Sequence, residues 1–198
     1  MAEITAALVK ELREKTGVGM MDCKNALKEA NGDMEKASEI LRKKGIAKAA
    51  KRADREANEG IIESYIHPGS KLGVIVEVNC ETDFVANTDD FKNFARNIAM
   101  HIAASSPLAV KRDELNKELI EKELEIYKEQ AKSQGKPDNI VDKIAQGRLE
   151  KYYTESVLLD QAYVKEPDKS IQDLLTETVS KVGENITIKR FARFRIGE

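Results

Sequence analysis

A change of hydrophobic period at Gly60 limits what this chain can fold into more than any other feature. Before it, apolar residues recur at three- and four-residue spacing; after it, two runs alternate residue by residue. In the first 45 residues the helical spacing is punctuated three times. Ile4, Leu8 and Leu12 mark a first helix, with Gly17 beyond its end as a left-handed stop. A second helix, roughly 21–30, turns Leu27 and Ala30 inward and ends at Asn31-Gly32. Asp33 stands where an N-cap belongs, Met34, Ala37, Ile40 and Leu41 form the third stripe, and Gly45 is expected to close it. Three helices this short bury little surface, so they are expected to form a binding module tethered to a larger body. Residues 46–59, rich in Ala, Lys and Arg, predict a helical linker without core residues of its own.

Beyond Gly60, residues 61–66 and 72–80 flank His67-Pro68-Gly69-Ser70-Lys71, a loop of hairpin length. Val74, Val76, Val78 and Cys80 share one face of the second strand. Phe91, Phe94, Ala95, Ile98 and Ile102 then return to helical spacing, with Pro107 beyond them. After a short connection at 111–115, Leu119, Leu124, Tyr127 and Ala131 mark a long charged helix, and Asp138 is placed to cap a second one carrying Val141, Ile144, Ala145, Leu149 and Tyr152. The 11 acids and 9 bases between 112 and 155 nearly balance, which suits a projecting antiparallel hairpin. Ser170 with Asp173 fits a capping box opening a helix to about Val182, Gly183 stops it, and 186–196 reads as a strand with Ile186, Ile188, Ala192, Phe194 and Ile196 on one face. The expected class is α+β: a three-helix module at 1–45, a linker at 46–59, and at 60–198 an antiparallel-sheet core with packed helices and a helical hairpin inserted at about 112–155.

Composition narrows the function classes. Of the 198 residues 34% are charged, yet the formal net charge is only −2, so no whole-molecule field points to nucleic acid. Seven basic residues lie between Arg42 and Arg55; they read as a solvated or protein-docking face, with RNA contact as the alternative, because acids interrupt them and no aromatics are interleaved for stacking. Cys23 and Cys80 are far apart and form no CxxC pair, which fits a reducing compartment and no metal site. No basic start with an apolar run opens the chain and no membrane-length apolar stretch occurs, so a cytoplasmic location without membrane association is expected.

Few residues suggest covalent chemistry. His67, in a turn, and His101, beside a helical apolar stripe, have no local Ser or Cys nucleophile signature, and no glycine-rich phosphate loop follows a strand. Two turns carry large apolar residues instead. In Gly17-Val18-Gly19-Met20-Met21, the methionines suit either an adaptable protein-binding surface or the floor of the helical module. In Thr82-Asp83-Phe84-Val85, between a strand and a helix, the phenylalanine is either a staple for the next helix or a residue aimed at a partner.

The stretch from Leu12 through Thr16-Gly17-Val18-Gly19-Met20-Met21-Asp22-Cys23-Lys24 to Leu27 resembles the N-terminal signature of the elongation factor Ts family, and Glu77-Val78-Asn79-Cys80-Glu81-Thr82-Asp83-Phe84-Val85 resembles its second signature. His101 to Pro107, Gln134-Gly135-Lys136-Pro137 and Val182-Gly183-Glu184-Asn185-Ile186 are similar to further family segments, so the resemblance spans the chain. It implies a non-enzymatic guanine-nucleotide exchange factor, without cofactor, whose partner is elongation factor Tu. Val18, Met20, Met21 and Lys24 of a UBA-like module would dock on the GTPase, while Thr82, Asp83, Phe84 and Val85 would approach its Mg2+ site. Long members carry two core subdomains and this chain has room for one, as in the short form, which implies a homodimer and a two-plus-two complex.

Overall fold

The computed structural model describes residues 4–198. The chain forms two compact units, one from residues up to Ile61 with Val78–Phe94 and Asp173–Thr187, the other from Ile62–Glu77, Ala95–Gln172 and Ile188–Glu198. Among the described residues no helix is long and apolar enough to cross a membrane.

The first unit opens with α1 (Ala6–Thr16), α2 (Met20–Glu29) and α3 (Met34–Ala50). The end of α1 and the start of α3 are set by the residues anticipated. Gly17 adopts φ 68° and sends its N–H to the Arg13 carbonyl, while the Asp33 carboxylate accepts from the amides of Glu35 and Lys36. Those amides hold the Asp33 carboxyl below its ordinary range, with Lys36 the largest influence. Val9, Leu12, Cys23, Ala26, Leu27, Ala30, Ala37 and Leu41 form the buried centre of this bundle.

Gly45 does not end α3. The helix runs through it to Ala50, and at Gly45 α3 passes so close to α8 (Ile171–Val182) that a Cβ there would stand 3.1 Å from the Ser180 hydroxyl oxygen. Here the missing side chain permits contact between helices rather than a turn. Of the segment expected to be helical, only 46–50 is; residues 51–58 are turn and irregular chain before β1 (Glu59–Ile66). That stretch is held by polar contacts: Arg52 donates to the Val179 carbonyl, and the Asn185 amide donates to the Arg55 and Ala53 carbonyls at 2.7 and 3.4 Å.

The hairpin of β1 and β2 (Leu72–Cys80) is closed by the His67 N–H on the Leu72 carbonyl, and β2 lies between β1 and β5 (Ile186–Arg195) in a three-stranded sheet. Val74, Val76, Val78 and Cys80 are all buried, as their alternation predicts. In β5 burial stops at Ile188: Ala192, Phe194 and Ile196 are exposed. Alternation tells which residues share a face, not whether anything covers it.

In the second unit α6 (Lys117–Ser133) and α7 (Asp138–Ser156) form the expected hairpin, joined through Gly135 at φ 71° and packed through Ala131, Val141, Ala145 and Leu149. Lys128 pairs with Asp142, and Arg148 donates to Gln130 and Gln134 across it. Asp138 is the first residue of α7 rather than its cap. Pro137 occupies the cap position, and Asp138 lies in the first turn, where a carboxylate favours the helix dipole. A two-stranded antiparallel sheet of β3 (Ala162–Tyr163) and β4 (Glu166–Ser170) has no counterpart in the sequence reading. Between β2 and the helical hairpin lie α4 (Asp83–Ala86) and α5 (Asp89–Ser105), the latter burying Phe91, Phe94, Ala95, Ile98 and Ile102 as its spacing requires.

Candidate functional site

Both apolar turns lie in the first unit. At the start of α2, Gly19 offers no side chain to cap the helix. The inner positions of that helix are taken by buried Cys23, Ala26 and Leu27, and the Cys23 thiol donates to the Val18 carbonyl at 3.5 Å. Val18 is half-buried against the bundle. Met20 and Met21 are therefore not the floor of the module: they are 43% and 67% exposed, beside exposed Lys24.

The second turn is built differently. After β2 the chain makes one helical turn, α4, capped by Thr82, whose hydroxyl oxygen accepts from the Val85 N–H. The far end of α4 is capped as well. Asn87 donates its side-chain amide to the Asp83 carbonyl at 2.9 Å, and Thr88 its hydroxyl to the Val85 carbonyl at 2.8 Å. Ala86 is buried beneath the turn and Val85 is half-buried, while Asp83 is exposed and Phe84 is 81% exposed. A side chain so open staples nothing in this chain.

Thr82 is held from far along the sequence. The Glu184 carboxylate accepts the Thr82 N–H at 3.0 Å and the Thr82 hydroxyl at 2.7 Å. The neighbouring glutamate returns the arrangement: Glu81 accepts the Asn185 N–H at 2.6 Å and pairs with Arg55 at 3.4 Å. Beneath them the Cys80 thiol, pushed up to about 11 chiefly by burial and further by the Glu184 charge, stays protonated at neutral pH and donates to the Thr82 carbonyl at 3.1 Å. Sequence reasoning missed Glu81, Glu184, Asn185 and Arg55, since no local pattern joins residues about a hundred positions apart.

The basic run of 42–55 is largely neutralised. Arg42, Lys43, Lys44, Lys48 and Arg55 pair with Asp173, Glu39, Glu29, Asp22 and Glu81. A phosphate backbone would have to displace those carboxylates. The histidines are engaged in structural contacts. His67 shares a hydrogen bond with the Tyr65 hydroxyl, and buried His101 lies 2.9 Å from the Gln161 carbonyl oxygen by Nε2 while Nδ1 accepts the Val164 N–H. Those partners fix His101 as the neutral Nε2–H tautomer, and burial lowers its pKa. Among the described residues no cluster of His, Cys, Asp and Glu is placed to hold a metal ion.

Comparison with known proteins bears on the same segments. Residues 7–198 match the model of the family described as Elongation factor TS. Elongation factor Ts of Desulfosudis oleivorans is 60% identical over 198 residues, all of both chains. The protein of that name from Thermoanaerobacter sp. (strain X514) is 60% identical over 195 residues, covering 98% of this chain and 96% of the relative. That from Carboxydothermus hydrogenoformans is 61% identical over 195 residues, covering 98% and 90%.

Proposed function

Because this chain belongs to the elongation factor Ts family, we propose that it is a non-enzymatic exchange factor that binds GDP-bound elongation factor Tu, disturbs its Mg2+ and phosphate site, and so releases GDP for replacement by GTP. A GTPase holds GDP through phosphate-loop amides and Mg2+, so a factor that favours the disturbed site need not touch the nucleotide. By linkage, whatever weakens GDP when the factor is bound weakens the factor equally when GDP is bound. Accelerating release ten-thousandfold lowers the barrier by roughly 5.5 kcal/mol. Burial of one phenylalanine supplies about 1.5–3 kcal/mol, so a wedge needs an anchor beside it.

The observation that carries this reading is Phe84, 81% exposed on a turn whose ends are both hydrogen-bonded. Phe84 is the wedge, Asp83 a charged acceptor beside it, and Thr82 and Val85 their support. Val18, Met20, Met21 and Lys24 are the anchor, carried on a docking module at 1–45, with 46–59 connecting it to a dimerisation core at 60–198. The factor works in the cytoplasm as a homodimer in a two-plus-two complex with the GTPase, without membrane or direct nucleic-acid contact. The dimer is supported by the apolar residues left open on the sheet within the second unit, where Ile66, Leu72, Ile75, Phe194 and Ile196 line a groove of about 460 Å3.

Stopped-flow release of fluorescent GDP from elongation factor Tu tests the exchange reading; release no faster with this protein than without it would remove it. Light scattering tests the dimer, with twice the chain mass of 22.1 kDa expected. A monomer at every workable concentration, still fully active, would show that one copy suffices.

A further inference from the structure

We propose that Glu184 is a positioning residue of exchange: by gripping Thr82 it fixes the one-turn helix that presents Asp83 and Phe84. The proposal rests on the exchange reading above and assigns to Glu184 no contact with the GTPase.

A four-residue helix cannot organise itself. Its nucleus fixes several residues for very few hydrogen bonds, and α4 closes the Ala86, Asn87 and Thr88 amides onto Thr82, Asp83 and Val85. Phe84 points to solvent and adds nothing to its hold, and Ala86 is the one buried side chain within it. The direction of α4 is therefore set by polar contacts: Asn87 and Thr88 supply those at its far end, and five converge on Thr82 at its start. Its hydroxyl oxygen accepts from the Val85 N–H, and its carbonyl receives the Ala86 N–H and the Cys80 thiol. Those three contacts are local, joining Thr82 to its own neighbours. The remaining two, from its N–H and its hydroxyl, go to Glu184, 102 positions away, and both are charge-assisted.

Glu184 is itself fixed. Gly183 at φ 85° redirects the chain after α8, and Asn185 is tied by its N–H to Glu81 and by its side-chain amide to the Arg55 carbonyl. Residues 81–82 and 184–185 thus exchange glutamates, each segment accepting from the backbone of the other. A wedge on a loose turn would lose, in ordering that turn, part of what insertion gains; a wedge held beforehand does not.

The test measures GDP release from elongation factor Tu across a range of factor concentrations, giving a limiting rate and a half-saturating concentration for the wild type, Glu184→Ala, Glu184→Gln, Thr82→Val and the double variant Glu184→Ala/Thr82→Val. Glu184→Ala and Thr82→Val should each lower the limiting rate on the order of tenfold while the half-saturating concentration stays within about twofold, since anchoring is untouched. The losses should not multiply in the double variant, because either substitution alone removes the hydrogen bond between the Thr82 hydroxyl and Glu184; Thr82→Val adds only the loss of its cap on the Val85 N–H. Glu184→Gln should fall between, its carbonyl still accepting one of the two hydrogen bonds without the charge. A generally weakened fold would not produce this order at temperatures where circular dichroism shows every variant folded. If Glu184→Ala does not fold, Glu184→Gln and Thr82→Val carry the same expectation. An unchanged limiting rate, or losses that multiply in the double variant, would overturn the positioning role while leaving the exchange reading intact. Failure of the wild type to accelerate release would remove both.

Discussion

Met20-Met21 and Asp83-Phe84 both present large apolar side chains at the start of a helix in the same unit, yet they are built to opposite specifications. The first begins α2 without a side-chain cap, directly after Gly19, and uses methionine, whose unbranched chain adapts to its surroundings. The second begins α4 with a capping threonine, is capped again at its far end, and carries a side chain with only two torsions. A docking surface benefits from compliance because it must fit a partner through more than one nucleotide state. A wedge benefits from stiffness, because a side chain that yields does not move what it meets.

If that contrast is right, substitutions at the two turns separate cleanly. The largest effect is expected for Phe84→Ala, which should slow the limiting rate of GDP release about tenfold to a hundredfold, the equivalent of roughly 1.5–3 kcal/mol of insertion. Its melting temperature should barely change, since an exposed side chain gives the free fold few contacts. A wild-type limiting rate, or a loss of several kcal/mol in fold stability, would show that the stiff turn serves the fold and not the partner. A smaller effect of the opposite kind is expected for Met20→Ala: a half-saturating concentration raised several-fold, on the order of 1 kcal/mol, with the limiting rate preserved. Should Met20→Ala lower the limiting rate and leave the half-saturating concentration unchanged, the compliant and stiff turns would share one task.

Much of this architecture is legible in the chain itself. Period and punctuation locate α1 to α3, the hairpin of β1 and β2, α5 to α8 and β5, because wherever such an element buries residues, as β2 and α5 do, they follow its own repeat. Gly17 and Asp33 do what their residue types dictate locally. Most of what escapes at the site is set by neighbours remote in sequence. Gly45 has the composition of a stop and serves as a point of close approach to Ser180. The pair β3 and β4 is too short to alternate, and Pro167 lies inside it. At the site, the apolar residues stand out because they interrupt the patterns on either side, whereas Glu81 and Glu184 are two acids among the chain's 35. Only folding brings each carboxylate to the backbone N–H of the residue that follows the other.

The grip of Glu184 on Thr82 also has an order in time. A ribosome makes Thr82 well before its partner; at about 5–20 residues per second the 102 intervening positions take roughly 5–20 s. During that interval the Phe84 turn exists as sequence but lacks the contact that holds it. A product cut short between Val85 and Gly183 carries both apolar turns, Met20-Met21 and Phe84, and not the clamp between residues 82 and 184. Thr82, the cap of the Phe84 turn, is thus made 102 positions ahead of the carboxylate that grips it.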